Sequence, residues 1–151
     1  MPYYKSPEEK LVLDYLQKEK VDENDCSSII KLCEQAIKKY PFDLRLLNYL
    51  AYMYQKKQDN LMYEKKNFKF QKVLSTIYDS GDGKQCETAF HVTSVTHEYV
   101  LLEIFQMERD KQSLIENCDY LTFDKAKYGI DGLYFNVEYL LKKQEELFSK
   151  N

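Results

Sequence analysis

The chain has 151 residues, 44% of them apolar and 31% charged, with four glycines, three prolines and a formal net charge of −3. This length and apolar content are typical of a single folded unit and exclude a disordered or low-complexity protein. The interleaved charges argue against a nucleic-acid binder, and without a run of about 18 apolar residues the sequence predicts no membrane span.

Four helices are predicted in the first half of the chain. The first follows a capping box formed by Ser6 and Glu9, with Pro7 at the first helical position, where its missing N–H is harmless. The second has the clearest helical repeat of apolar residues and is expected to stop at Pro41. The residues of that repeat are Cys26, Ile29, Ile30, Cys33, Ala36, Ile37 and Tyr40.

The third and fourth helices are predicted over residues 44–56 and 60–78. Asp43 can cap the third helix, which is apolar around most of its circumference and is therefore expected to lie between two neighbouring helices. The fourth helix carries a basic stripe, whose members are Lys65, Lys69 and Lys72. Stripes of this kind are usually solvated, and the alternative is a contact with an acidic partner.

The pattern changes at a cluster of turn-forming residues, 79–84, which contains two of the four glycines. We expect Gly81 or Gly83 to adopt a positive φ, because the chain must turn sharply there. The elements predicted after this cluster are a strand over 90–95, a helix capped by Thr96, strands near 113–115, 118–123 and 133–137, and a final helix over 138–148.

These elements predict an α+β fold. A four-helix layer is expected over residues 1–79, and a small mixed β-sheet with two helices is expected over residues 80–151. The two parts are expected to pack as one unit, since the chain is short enough to be a single domain.

The four cysteines are Cys26, Cys33, Cys86 and Cys118, and they form no C-x-x-C pair, which gives no support to a zinc or thioredoxin-type site. Cys26 and Cys33 lie on the inward stripe of the second helix, where we expect both thiols to be reduced and buried. A disulfide framework is not expected in a chain with this much apolar core. The sequence predicts no metal and no cofactor.

The second and third predicted helices resemble parts of tetratricopeptide repeats. The residues that carry this resemblance are Ala36, Pro41, Leu47, Leu50, Ala51 and Tyr54. Ala36 and Pro41 look like the end of one repeat, and the others look like the first helix of the next, in which Ala51 lets two helices approach closely. The resemblance implies a repeat-like helical layer in the N-terminal half.

A second resemblance is carried by five short segments. They are Tyr40-Pro41-Phe42-Asp43-Leu44, Ser80-Gly81-Asp82-Gly83, Glu87-Thr88-Ala89-Phe90, Glu98-Tyr99 and Leu133-Tyr134-Phe135-Asn136-Val137. They are similar to segments of an uncharacterised family of small bacterial proteins, domain of unknown function 4919, over most of residues 3–148. Members of that family are often longer at the N-terminus and often look exported. The resemblance implies no activity.

The strongest candidate for a binding surface is on the third predicted helix. Arg45, Asn48, Tyr52 and Gln55 recur at intervals of three and four residues and form one polar stripe. In a tetratricopeptide repeat the corresponding face lines a concave groove that holds an extended peptide or its carboxylate. The sequence therefore favours a non-catalytic peptide- or protein-binding module with these four residues at the contact, and a plain solvated face is the alternative.

A second hypothesis is an enzyme of unrecognised type, in which Cys86 acts as a nucleophile beside His91 or His97. His91 alternates with apolar neighbours and is expected to face away from the core, whereas His97 lies in the first turn of its predicted helix. The sequence contains no H-E-x-x-H, G-x-S-x-G or phosphate-binding Walker motif that would strengthen this hypothesis. A structural component of the cell envelope is the third hypothesis.

The first residues of the chain indicate the compartment in which the protein is expected. Met1 is followed at once by Pro2 and Tyr3, without the charged and apolar regions of a secretory leader. As it stands, the sequence predicts a cytoplasmic protein. The expectation becomes the cell envelope or periplasm if a leader has been removed.

Overall fold

A computed structural model describes residues 6–150 and has the expected α+β architecture. The described elements are α1 (Pro7–Leu16), α2 (Glu23–Lys39), α3 (Leu44–Lys56), α4 (Asn60–Asp79), β1 (Phe90–His91), α5 (Val95–Phe105), β2 (Gln112–Ile115), β3 (Cys118–Thr122), α6 (Lys125–Tyr128), β4 (Gly132–Asn136) and α7 (Glu138–Phe148). Residue contacts divide the described chain into two compact units, 6–74 and 75–150. Within residues 6–150, no helix is both long enough and apolar enough to cross a bilayer.

Side-chain caps begin the first three helices, and the caps of α1 and α3, Ser6 and Asp43, are the predicted ones. The Oγ atom of Ser6 accepts a hydrogen bond from the Glu9 backbone N–H at 3.1 Å. Before α2, Asp22 and Asp25 form a capping box, in which each carboxylate accepts from the other residue's backbone N–H, at 2.8 and 3.1 Å. These N–H groups have no partner within the helix, so the caps determine where α1 and α2 begin.

The core of the 6–74 unit lies between α1, α2 and α3. Its buried members are Val12, Cys26, Ile29, Cys33, Ala36, Ile37, Leu46, Leu47, Leu50 and Met53. The end of α3 lies beside the start of α2, where the Lys57 ammonium donates to the Ser27 hydroxyl at 2.6 Å, so these two helices are antiparallel. All of residues 6–78 are helix, turn or loop, which confirms the prediction of four helices without a strand.

The 75–150 unit contains a four-stranded mixed sheet with the order β1-β4-β3-β2. β1 is parallel to β4, and the other two pairs are antiparallel, with Asp119 opposite Phe135 and Tyr120 opposite Tyr134. Because side chains alternate along a strand, the buried Asp119 and Phe135 share one face of the sheet. The Tyr120 and Tyr134 rings stack on the other face, with their centroids 4.3 Å apart.

An aromatic cluster holds α5 and the end of α4 against the sheet. The Phe90 ring of β1 lies 5.8–6.4 Å, between centroids, from the rings of Phe135 in β4, Phe105 in α5 and Tyr78 near the end of α4. Such separations are typical of attractive aromatic pairs. The cluster therefore joins elements from three parts of the chain around one buried side chain.

The turn that precedes β1 confirms the glycine prediction. Gly83 adopts a φ of +70°, and the backbone N–H groups of Asp82 and Gly83 both donate to the carbonyl of Thr88 at 2.9 Å. A Cβ atom on Gly81 would lie only 2.3 Å from that same carbonyl oxygen. The first glycine allows a close backbone approach, and the second allows the left-handed conformation.

The prediction of a strand over 90–95 followed by a Thr96 cap was wrong. The strand stops at His91, and Ser94 caps α5, accepting a hydrogen bond from the Thr96 N–H at 3.3 Å. The Thr93 N–H donates to Nδ1 of His97 at 3.4 Å and is not part of the sheet ladder. Side-chain acceptors near a helix start compete with strand pairing, and here they shorten the strand.

Candidate functional site

The polar stripe predicted on the third helix lies opposite the packed side of α3. Leu46, Leu47, Leu50 and Met53, which share the packed side, are at most 2% exposed. Asp43 begins the helix by accepting hydrogen bonds from the N–H groups of Arg45 and Leu46 at 2.9 and 3.0 Å. A helix committed to packing on one side presents the residues of its other side in a row.

The structure places the four predicted residues along that row. Asn48, Tyr52 and Gln55 are exposed, with 49% of the Tyr52 surface accessible, and Arg45 is half-buried. Ten positions separate Arg45 from Gln55, so the row is about 15 Å long. It matches the length of four or five residues of an extended peptide.

The charge on α3 is of one sign. The helix contains Arg45 and Lys56 but neither Asp nor Glu among its 13 residues. The Lys56 ammonium lies 5.5 Å from the centroid of the Tyr52 ring, in the range of a cation–π contact. The charged side chains of α3 are therefore all positive.

A surface cavity of about 310 Å³ lies on the α2 side of α3 and was not predicted. It is lined by Ser27, Ile30, Tyr54, Lys57 and Asp59. Burial, together with the nearby Glu34 carboxylate, raises the pKa of Tyr54 to about 12, so this phenol stays protonated. The Tyr54 hydroxyl donates to Glu34 at 3.1 Å, which commits it to holding α2 and α3 together.

The proposed Cys–His pair is not supported by the structure. Cys86 is bonded to Cys118 in a disulfide, and this bond also corrects the expectation that the chain has none. His91 is exposed on β1, whereas His97 is 2% exposed inside α5. A disulfide sulfur has no thiolate to act as a nucleophile, so the assignment of Cys86 as a nucleophile was wrong for the oxidised protein. Cys26 and Cys33 are free and buried, as predicted.

Two buried carboxyl groups were missed by the sequence analysis. Glu98 of α5 and Asp119 of β3 are both completely buried, and the Gln112 side-chain amide donates to Asp119 at 3.0 Å. Burial, and then the neighbouring Asp119, raise the pKa of Glu98 well above its usual range. Glu98 directly precedes the apolar run Tyr99-Val100-Leu101-Leu102, and Asp119 lies between Cys118 and Tyr120. An acid beside such neighbours is the sequence signal that could have identified both.

Within residues 6–150, no group of three or more His, Cys, Asp or Glu side chains is arranged to hold a metal ion.

Across residues 1–146 the sequence matches the profile of a family described as a domain of unknown function (DUF4919). The chain belongs to this family. No curated protein and no solved structure matches it. The family description names no activity, so the function must be argued from the surface of this chain.

Proposed function

We propose that this member of the family is a non-catalytic binding module that holds a carboxylate-bearing peptide or protein segment on the exposed side of α3. The observation that carries the proposal is the row of Arg45, Asn48, Tyr52 and Gln55, which lies opposite a fully packed side. The absence of Asp and Glu from α3 supports a negatively charged partner.

Each side chain of the row has a role in this proposal. Arg45 can form a fork-like pair of hydrogen bonds with a carboxylate. Asn48 can donate to and accept from the backbone of an extended peptide through its amide. Tyr52 offers a large contact area and loses little conformational entropy when it is held in place. Gln55 lies two helical turns beyond Asn48, and its side-chain amide could contact the peptide backbone in the same way.

The disulfide supports a location outside the cytoplasm for this function. Cys86 and Cys118 form a disulfide. Disulfides form and persist in oxidising compartments and are rare in a reducing cytosol. We therefore propose that the protein works outside the cytoplasm, in the cell envelope or periplasm.

Binding to a library of peptides with free C-terminal carboxylates tests the proposed function. Peptides selected by the wild-type protein would be measured against Arg45→Ala and Tyr52→Ala, and each variant is expected to weaken binding by about 1–3 kcal/mol, with the melting temperature of each variant measured to separate lost binding from lost stability. Gln35→Ala, at an exposed position of α2, is the matched control and should bind normally. Selected peptides that bind both variants as tightly as the wild type would refute the proposed site.

A further inference from the structure

The fourth helix carries a second exposed row, which combines apolar and basic side chains. We call it the basic–apolar row, and its members are Leu61, Lys65, Phe68 and Lys72. Their spacing of four, three and four residues places them on one line of α4, about 16 Å long. Leu61 and Phe68 are each 64% exposed, which is high for large apolar side chains.

Phe68 of the row lies beside positive charge, and so does the exposed Phe42. The Lys72 ammonium is 5.5 Å from the centroid of the Phe68 ring, and the Lys69 ammonium is 5.5 Å from that of Phe42, which is 58% exposed. The row itself contains no acid, although the exposed Glu64 lies on the adjacent line of the helix. The row is thus a local positive surface on a chain whose net charge is −3.

We infer that the basic–apolar row docks the protein on an anionic lipid surface. Exposed aromatic and aliphatic side chains enter the boundary between headgroups and acyl chains, and neighbouring lysines remain with the lipid phosphates. The row has no hydroxyl or amide to set the register of a peptide, and ammonium groups act as charges without a preferred direction. These features suit a fluid, negatively charged surface better than a shaped acidic protein.

The binding is expected to be reversible. Only two large side chains of the row enter the lipid, and the electrostatic attraction of the lysines weakens as salt screens it. The inference is independent of the proposed peptide site, because the two surfaces are on different helices and can be changed separately.

Vesicle flotation tests the inference directly. Wild-type protein would be mixed with vesicles of phosphatidylcholine alone, or of phosphatidylcholine with phosphatidylglycerol, and is expected to float only with the anionic vesicles and less at high salt. Each lysine near the surface contributes about fivefold in affinity, so Lys65→Gln with Lys72→Gln should weaken binding about 25-fold. Phe68→Ser should weaken it about tenfold.

The matched control removes two charges elsewhere. Lys31→Gln with Lys38→Gln changes two exposed lysines of α2 and should leave vesicle binding unchanged. All variants would be checked for wild-type circular dichroism and melting temperature. The inference is overturned if anionic vesicles are not bound, if both double variants bind equally, or if the row instead captures an acidic polypeptide such as polyglutamate without binding lipid.

Discussion

Cys86, in the 3-10 turn before β1, is joined by a disulfide to Cys118, the first residue of β3, across 32 positions of the chain. The loop closed by this bond contains β1, α5 and β2. Cys118 is completely buried, so one end of the link is inside the 75–150 unit. The bond holds the turn before β1 against the start of β3, and these two segments are not neighbours in the sheet order.

Removing this link should destabilise the 75–150 unit. Replacing both residues, Cys86→Ala with Cys118→Ala, is expected to lower the free energy of unfolding by about 3–4 kcal/mol, because the unfolded chain regains the entropy of the open loop. Urea denaturation followed by circular dichroism measures the change. Adding a reductant to the double variant should then have no further effect, and a wild-type protein insensitive to the same reductant under unfolding conditions would contradict the disulfide.

The two remaining cysteines should be inert in the native state. Burial raises the pKa of Cys33 to about 12, which keeps that thiol protonated at neutral pH, and Cys26 is only 3% exposed, so a reagent in solution does not reach its sulfur. A thiol reagent added to oxidised protein should therefore label about two cysteines after denaturation and almost none before it. Rapid labelling of either cysteine without denaturant would show that α2 is not packed as described.

Two glycines separate the effect of backbone conformation from the effect of packing. Gly83 and Gly129 have similar positive φ values, +70° and +75°. A Cβ atom on Gly83 would lie 2.6 Å from the Phe90 ring, whereas one on Gly129 would have nothing within 4 Å. We expect Gly129→Ala to destabilise by about 1 kcal/mol and Gly83→Ala by about 1–2 kcal/mol more. Equal denaturation midpoints for the two variants would contradict this packing.

Glu98 should make stability depend on pH. Its pKa is raised in the folded protein, so the native state binds more protons than the unfolded state once the pH rises above about 4.5, and stability falls with increasing pH. Glu98→Gln removes this titrating group. Between acidic and mildly alkaline pH, the free energy of unfolding of the variant should therefore fall by about 1 kcal/mol or more less than that of the wild type. The measurement is the denaturation midpoint across that range.

The exposed Glu103, on the same helix, provides the control for this prediction. Glu103→Gln should leave the pH dependence as it is in the wild type. A Glu98→Gln profile parallel to that of the wild type would show that Glu98 is ionised in the folded protein.

Most helix starts could be predicted because their causes are local. Ser6, Asp22 and Asp43 each pair with an N–H group two or three residues further along the chain, and this spacing is visible in the sequence. β1 was predicted too long because residues 90–95 have strand-like composition, whereas the caps of α5 and the contact between Thr93 and His97 stop the ladder at residue 91. The composition of these residues favours a strand, but the contacts that they make in the folded chain determine where the strand ends.

The sequence by itself determined the α+β class, the inward face of α2, the polar row of α3 and the glycine turn, since each depends on residues within a few positions of one another. Only the tertiary structure decided that Cys86 meets Cys118, that Glu98 and Asp119 are buried together, and that Phe68 is left exposed. These facts depend on which distant segments pack together, and neither helical periodicity nor capping carries that information.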